Sequence, residues 1–360
     1  MSLNINLNAI FLWVVLMAFQ GCGGGGGGGV TANTQASTDI ASLNSQAIAN
    51  SLTQSLLSNA GQQFVSTYAP QSEEEKAYRW LNLQRNTCGF GALKQNAMLD
   101  NSAQAHADWM LINNRDGHIE SQAVYPQAFT GASVLERASY QGYINAGLAE
   151  TVVSTTSPSE SGWGVASVKN LLNAPYHAWA LLYSFQDVGL SIRNNAETSS
   201  PYSGTRAVIN MGYQVSQGLQ AWDTQDVLTY PCEGSTLVSY QLANETPNPV
   251  PNRDLQNQPL GTSVIIMVKP GNELNITFAS MIQVSNQKVV QLRPVVGGLS
   301  GQPSVVPNSV FYGVGSAYVA ADAPLAPSES YQVSLLGTNN GNPFTKNFIF
   351  TTGPEGMLGQ

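Results

Sequence analysis

Residues able to do chemistry are scarce in this chain. Its 360 residues include three histidines, His106, His118 and His177, and three cysteines, Cys22, Cys88 and Cys232. A serine nucleophile finds no setting, because no Gly-x-Ser-x-Gly occurs to build the strand-to-helix elbow that exposes a hydrolase serine. A Cys88 thiolate with His118 or His177 as its base is the other nucleophilic arrangement that the inventory permits. His106 lies among Ala103, Ala107 and Met110 at helical spacing. That spacing predicts a face packed inward, with one ring nitrogen bonded to a backbone carbonyl, and a structural role.

Composition narrows the classes. Only 10% of residues are charged, and 14 Lys plus Arg against 22 Asp plus Glu give a formal net charge of −8. No Lys/Arg run supplies the basic stripe that phosphates require, so nucleic acid is not expected as a partner. The apolar run Ala9–Phe19 is shorter than the ~20 residues of a membrane span and suits the core of a signal peptide. Gly21-Cys22 after it resembles a bacterial lipobox, in which the cysteine is acylated and the peptide is cut just before it. Phe19 stands where lipoboxes carry Leu, and no Lys or Arg precedes the apolar run.

Residues 1–21 are therefore expected to be a lipoprotein signal peptide, with the membrane as partner through a lipid at Cys22. Gly23, rather than an Asp that resembles a retention signal, points to an outer-membrane lipoprotein exposed to the periplasm or the cell surface. The alternative is an exported protein from which Cys22 is removed. Residues 22–71 read as a tether, Gly23 to Gly29, followed by a disordered linker. Leu43, Ile48, Leu52 and Leu56 form a stripe for one short helix there. With Cys22 taken by lipid, Cys88 and Cys232 are left as an even pair in an oxidising compartment, most simply one disulfide. Such a closure stabilises by roughly 4–5 kcal/mol at most. Two buried thiols are the alternative, and oxidation argues against Cys88 as a nucleophile.

The elements that must position the histidines follow from local signals. Ser72-Glu73-Glu74-Glu75 is a capping box, with Glu75 reaching back to the Ser72 amide, and predicts a helix running to Cys88-Gly89. Further helices are predicted from Leu99 to Asn114, from a Ser133 cap through Gln141 with Gly142 as stop, and from Val165 to Asn173. Val188, Leu190 and Ile192 alternate as a strand, and Val208, Asn210 and Gly212 do so less cleanly. The class is mixed helix and sheet, α+β.

Leu81-Asn82-Leu83-Gln84-Arg85, Leu93, Asn96-Ala97-Met98-Leu99, Ala103-Gln104-Ala105-His106-Ala107, Gly117-His118, Ala149-Glu150, Ala174-Pro175-Tyr176-His177 and Asp187-Val188-Gly189 follow one another in this order. In order and approximate spacing they resemble bacterial domains of the CAP superfamily (cysteine-rich secretory, antigen 5 and pathogenesis-related-1 proteins; SCP-like). The resemblance covers residues 72–218. It implies an α-β-α sandwich with an open cleft lined by two histidines and one or two glutamates, which in some members binds a divalent metal. Carried over, His118 and His177 are the cleft histidines and Glu150 the first glutamate. The second glutamate has no clear counterpart: Pro175 occupies its usual place, and Glu160 reaches the cleft only by a different loop path. Ala149-Glu150-Thr151 replaces the usual Gly-Glu-Asn, and Leu171 stands at the signature tryptophan. Two imidazoles and a carboxylate are a donor set for zinc or another divalent cation; the alternative is a hydrogen-bonded polar cluster on the cleft floor.

After a connecting segment, 219–235, residues 236–353 change to short apolar runs: Val264–Val268, Leu274–Phe278, Val289–Leu292, Ala317–Ala320, Tyr331–Leu335 and Phe348–Thr352. About seven strands are the number in an immunoglobulin-like β-sandwich. Leu325-Ala326-Pro327 with Tyr331 resembles the tyrosine corner of bacterial Ig-like modules, whose hydroxyl bonds backbone upstream. Residues 354–360 are a tail. No titratable cluster marks this half, so no catalysis is placed in it. The function expected first is a cell-envelope-anchored binding or interaction module for an unknown envelope ligand or protein. A metal-dependent hydrolase of envelope peptides or wall polymers is the alternative, and a lipid or sterol carrier a further one.

Overall fold

A computed structural model describes residues 47–58, 64–157, 159–195, 202–305 and 312–357. The expected signal peptide, Cys22, the glycine tether and Leu43 lie outside them. A helix over 47–58 (α1) buries Ala49, Thr53 and Leu57, while Ile48 and Leu52 are exposed. The buried stripe is thus offset from the expected one: small Ala49 and Thr53 allow closer approach to the body than the larger Ile48 and Leu52.

Helix α2 (Glu73–Thr87) begins where Ser72 Oγ accepts from the Glu75 amide, at 3.2 Å. The return half of the capping box is displaced by one residue. Glu75 accepts from the Gln71 amide, because the Ser72 amide is already donated to the Ala69 carbonyl. After the short β1 (Lys94–Gln95), α3 (Ala97–Asn113) is capped by Asn96 and stopped by Asn114 in the left-handed region, φ 51°. Helix α4 (Val134–Tyr140) has the expected Ser133 cap. Strand β2 (Asn145–Thr155), unmarked in the sequence, carries Glu150. Helices α5 (Trp163–Asn173) and α6 (Pro175–Leu182) follow, the latter opened by a proline whose missing N–H has no helical partner to lose. Strands β3 (Asp187–Asn194) and β4 (Thr205–Gln214) complete a sheet of order β1-β3-β4-β2, parallel only at β1/β3.

Helices cover both faces of this sheet. Val188, Leu190, Ile209 and Met211 share a core with α2, α5 and α6, whereas Val208 packs with Ala103, Ala107 and Met110 of α3. Helix α3 can lie this close because Gly189 has no side chain: a Cβ there would collide with the backbone of Leu99 and Asp100.

The second half contains β5 (Val227–Tyr230), β6 (Ser263–Val268), β7 (Leu274–Gln283), β8 (Val296–Gly297), β9 (Ser316–Ala320), β10 (Ser330–Asn339) and β11 (Asn342–Thr351). They form a four-stranded sheet, β5-β6-β9-β8, and a three-stranded sheet, β11-β10-β7, which share one apolar core. Val289–Leu292 is not a ladder strand: it makes only isolated bridges, Val289 to Ile282 and Leu292 to Ala321. The Tyr331 hydroxyl accepts from the Ala326 amide at 2.7 Å.

Strand β6 joins the halves. Val264, Ile266 and Val268 face the core between the two sheets, while Ile265 and Met267 belong to the core of α2, α5 and α6. A continuous apolar run is what a strand buried on both faces requires. Cys88 at the end of α2 is disulfide-bonded to Cys232, with Cα atoms 5.5 Å apart across 144 residues of sequence. Two free thiols and a Cys88 nucleophile are both excluded by that bond.

Candidate functional site

Arg137 anchors the site. Its side chain, on α4, is fully buried; Nη2 donates to both Glu150 oxygens at 2.8 Å and to the His118 carbonyl at 3.2 Å, and Nη1 donates to the Gly131 carbonyl. Burial pushes the Glu150 carboxyl up, but Arg137 above all, then His106 and His118, hold it well below the usual carboxylate range. A buried carboxylate is tolerated because a guanidinium neutralises it at hydrogen-bond distance.

His118 leaves the loop after α3 and places Nδ1 3.1 Å from Glu150 Oε1. His177, in the first turn of α6, faces it with ring centroids 6.4 Å apart and planes at 29°. The second histidine also has a carboxylate, from a part of the chain that sequence reasoning left without chemistry: Glu245 Oε1 and Oε2 lie 3.1 and 3.2 Å from His177 Nδ1. The Glu245 side chain is fully buried. Burial alone would lower the His177 pKa, but the charge of Glu245 and its hydrogen bond outweigh that and raise it. Glu160 is elsewhere, accepting from Asn194 Nδ2. His106 is fully buried, stacked on Trp109, with Nε2 2.8 Å from the Gly117 carbonyl and Nδ1 3.0 Å from Glu120 Oε1.

The structure therefore brings His118, Glu150 and His177 together, adds Glu245 and Arg137, and spends Cys88 and Cys232 in the disulfide. The three expected metal ligands do not fit a shared ion. Both Glu150 oxygens face a guanidinium, which would repel a dication, and among the described residues no three His, Cys, Asp or Glu side chains form a group that could hold a metal ion. The pairs instead act on the rings. A carboxylate accepting from Nδ1–H orients the ring; Nε2 is then an acceptor on a neutral imidazole and a donor on a protonated one, the form that Glu245 favours for His177. Among the described residues nothing hydrogen-bonds either Nε2. Two such nitrogens on facing rings suit a ligand whose hydroxyls and amides can both donate and accept.

Beside this cleft lies a cavity of about 520 Å³ between the halves. His118 and Glu150 line one part; Trp179, Tyr183, Phe185 and Tyr213 come from the first half, and Met267 and Val314 from the second. The sequence offered no mark of it, because no single element carries the wall. Arg137 did leave a trace, as one of two charges, with Glu136, between Leu135 and Ala138 in a chain with few charges.

No family model and no curated protein matches the chain. A solved structure, the 1.5 Å crystal structure of an extracellular protein containing a SCP domain from Bacillus anthracis str. Ames, is similar at 16% identity with a TM-score of 0.31. The similarity covers 42% of this chain and 45% of that one. Among the described residues no helix is long and apolar enough to cross a membrane.

Proposed function

We propose that the chain is an envelope-anchored binding module: a CAP-like unit held at the membrane by a lipid on Cys22 and carried against an immunoglobulin-like unit that acts as a spacer. The observation supporting a binding role is the pair of facing rings, His118 and His177, each oriented by its own buried carboxylate and each with an Nε2 that hydrogen-bonds nothing among the described residues. Binding is favoured over metal-dependent hydrolysis because Arg137 occupies the acid that such a site would turn toward its ion. The ligand class is one whose groups both donate and accept, the hydroxyls and amides of sugars and peptides of the bacterial wall.

Saturation-transfer NMR with soluble disaccharide-peptides from a wall digest tests this reading. Transfer to wild-type ligand signals and its loss in the double variant His118→Gln/His177→Gln is expected. Equal transfer in both proteins would remove the cleft from the account, and appearance of cleaved fragments would move the protein to the hydrolase class.

A further inference from the structure

The cavity between the halves goes beyond the cleft and has a different chemistry. One wall is a continuous ladder of rings. Trp179 stacks on Tyr183 with centroids 4.6 Å apart, Tyr183 meets Phe185 edge-on at 5.1 Å, and Phe185 approaches Tyr213 at 6.4 Å. The second half contributes Met267, Val268, Pro270 and Val314 to the lining, aliphatic and polarisable side chains. Trp179 Nε1 donates to Ser316 Oγ at 3.2 Å and so pins the ladder to the second half. The volume, about 520 Å³, falls within the range of pockets that bury small molecules.

Charge narrows the occupant. No Lys, Arg or Asp lines the cavity among the described residues, and the one carboxylate, Glu150, is neutralised by Arg137. An ionic ligand would lose its hydration without a counter-charge, whereas a neutral one loses little. Ring faces prefer other rings in offset or edge geometry, an advantage of about 0.5–1.5 kcal/mol beyond area burial that an alkyl chain does not gain. Among the polar side chains that line it, with Ser133, Asn145, Asn272 and Ser316, His118 carries a ring nitrogen, Nε2, that makes no hydrogen bond among the described residues.

We propose that this cavity is a binding site for a neutral, planar, ring-bearing small molecule with one hydroxyl group, its ring face against the Trp179–Tyr183–Phe185–Tyr213 ladder and its hydroxyl donating to His118. The site does not depend on wall fragments being the ligand of the cleft.

The full chain is titrated with 2-naphthol, followed by tryptophan fluorescence and calorimetry. Naphthalene, naphthalene-2-sulfonate and 1-decanol serve as comparison probes. Saturable one-to-one binding of 2-naphthol is expected, at least tenfold tighter than the sulfonate or decanol and several-fold tighter than naphthalene. Val314→Trp, at a position 53% exposed and therefore tolerant of a larger side chain, and Ala146→Trp, on β2 in the first half, each fill the space and are expected to weaken 2-naphthol at least tenfold. His118→Ala is expected to keep naphthalene binding and erase the preference for the hydroxyl. No saturable binding, affinity unchanged by both filling variants, or a preference for decanol or the sulfonate would each overturn the proposal. Persistence of the hydroxyl preference in His118→Ala would overturn the orientation. Ring binding with no transfer to wall fragments would leave the cavity standing and remove the cleft reading.

Discussion

Arg137 and Glu150 are the residues on which the site is most exposed to mutation, because each neutralises the other out of water. Removing one partner strands the second charge, at about 3–5 kcal/mol, whereas removing both with apolar side chains of similar size is often near neutral. Arg137→Leu is therefore expected to lose about 3–5 kcal/mol in urea unfolding, and Arg137→Leu/Glu150→Leu to recover part of it, since the buried Glu120 carboxylate, 3.8 Å from Arg137 Nη1, also loses its neighbour. A double variant as unstable as the single would mean that the surrounding hydrogen bonds, not the charge pair, dominate. The second pair has a pH signature. Since Glu245 raises the His177 pKa above 6.5 against the opposing effect of burial, the folded state holds a proton more tightly than the unfolded chain. The stabilisation is then fully present below about pH 6.5 and is lost as pH rises through the folded-state value. The melting-temperature gap between wild type and His177→Gln should be widest near pH 6 and shrink toward pH 9; a gap that widens with pH would reverse the assignment. His118, Glu150 and His177 were legible through the ordered motifs around them. Glu245 was not, since it reaches His177 across 68 residues from a segment rich in Pro and Asn, and nothing local distinguishes it from a solvated acid.

At the level of elements, legibility tracks how local the cause is. The Ser72, Ser133 and Gly142 signals depend on neighbouring residues alone and are found where expected. Ser72→Ala should lower stability by about 1 kcal/mol, the usual range for losing an N-cap oxygen, checked by the same unfolding assay against Ser139→Ala at an exposed helical position that caps nothing. Strand β2 and the loss of Val289–Leu292 as a ladder strand were not readable, because pairing partners rather than alternation decide them. Gly189 is a middle case. Its type is visible, but its reason, the approach of α3 to the sheet, is not. Gly189→Ala must push α3 away or distort β3, and overpacking of this kind costs about 1–3 kcal/mol or more. The outcome to measure is a loss of at least about 2 kcal/mol, with Gly271→Ala, where a Cβ meets nothing within 4 Å, as the comparison for backbone strain alone.

The halves of the molecule are not beads on a string. Ile265, Met267, Tyr312 and Tyr318 of the second half share a core with α5 and α6, Tyr312 Oη donates to the Pro175 carbonyl, and the disulfide closes 144 residues of sequence across the same joint. The apolar run of β6 was legible as a strand, but what covers its second face was not, because that cover is a helix pair some ninety residues earlier in the chain. Each half separated from the other would expose the residues that now meet in this core, at roughly 25 cal/mol for every Å² of apolar surface returned to water. Two measurements separate the contributions. Cys88→Ala/Cys232→Ala removes only the loop closure and is expected to lower stability by about 2–5 kcal/mol while keeping near-UV circular dichroism. A chain ending at residue 235, which keeps Cys232 but lacks β6 and β9, is expected to retain helix by far-UV circular dichroism, lose fixed near-UV bands and bind a hydrophobic dye. If that shorter chain instead melts cooperatively with native near-UV bands, the joint is a docking surface rather than a common core, and the cavity at its edge could open and close by movement of one half against the other.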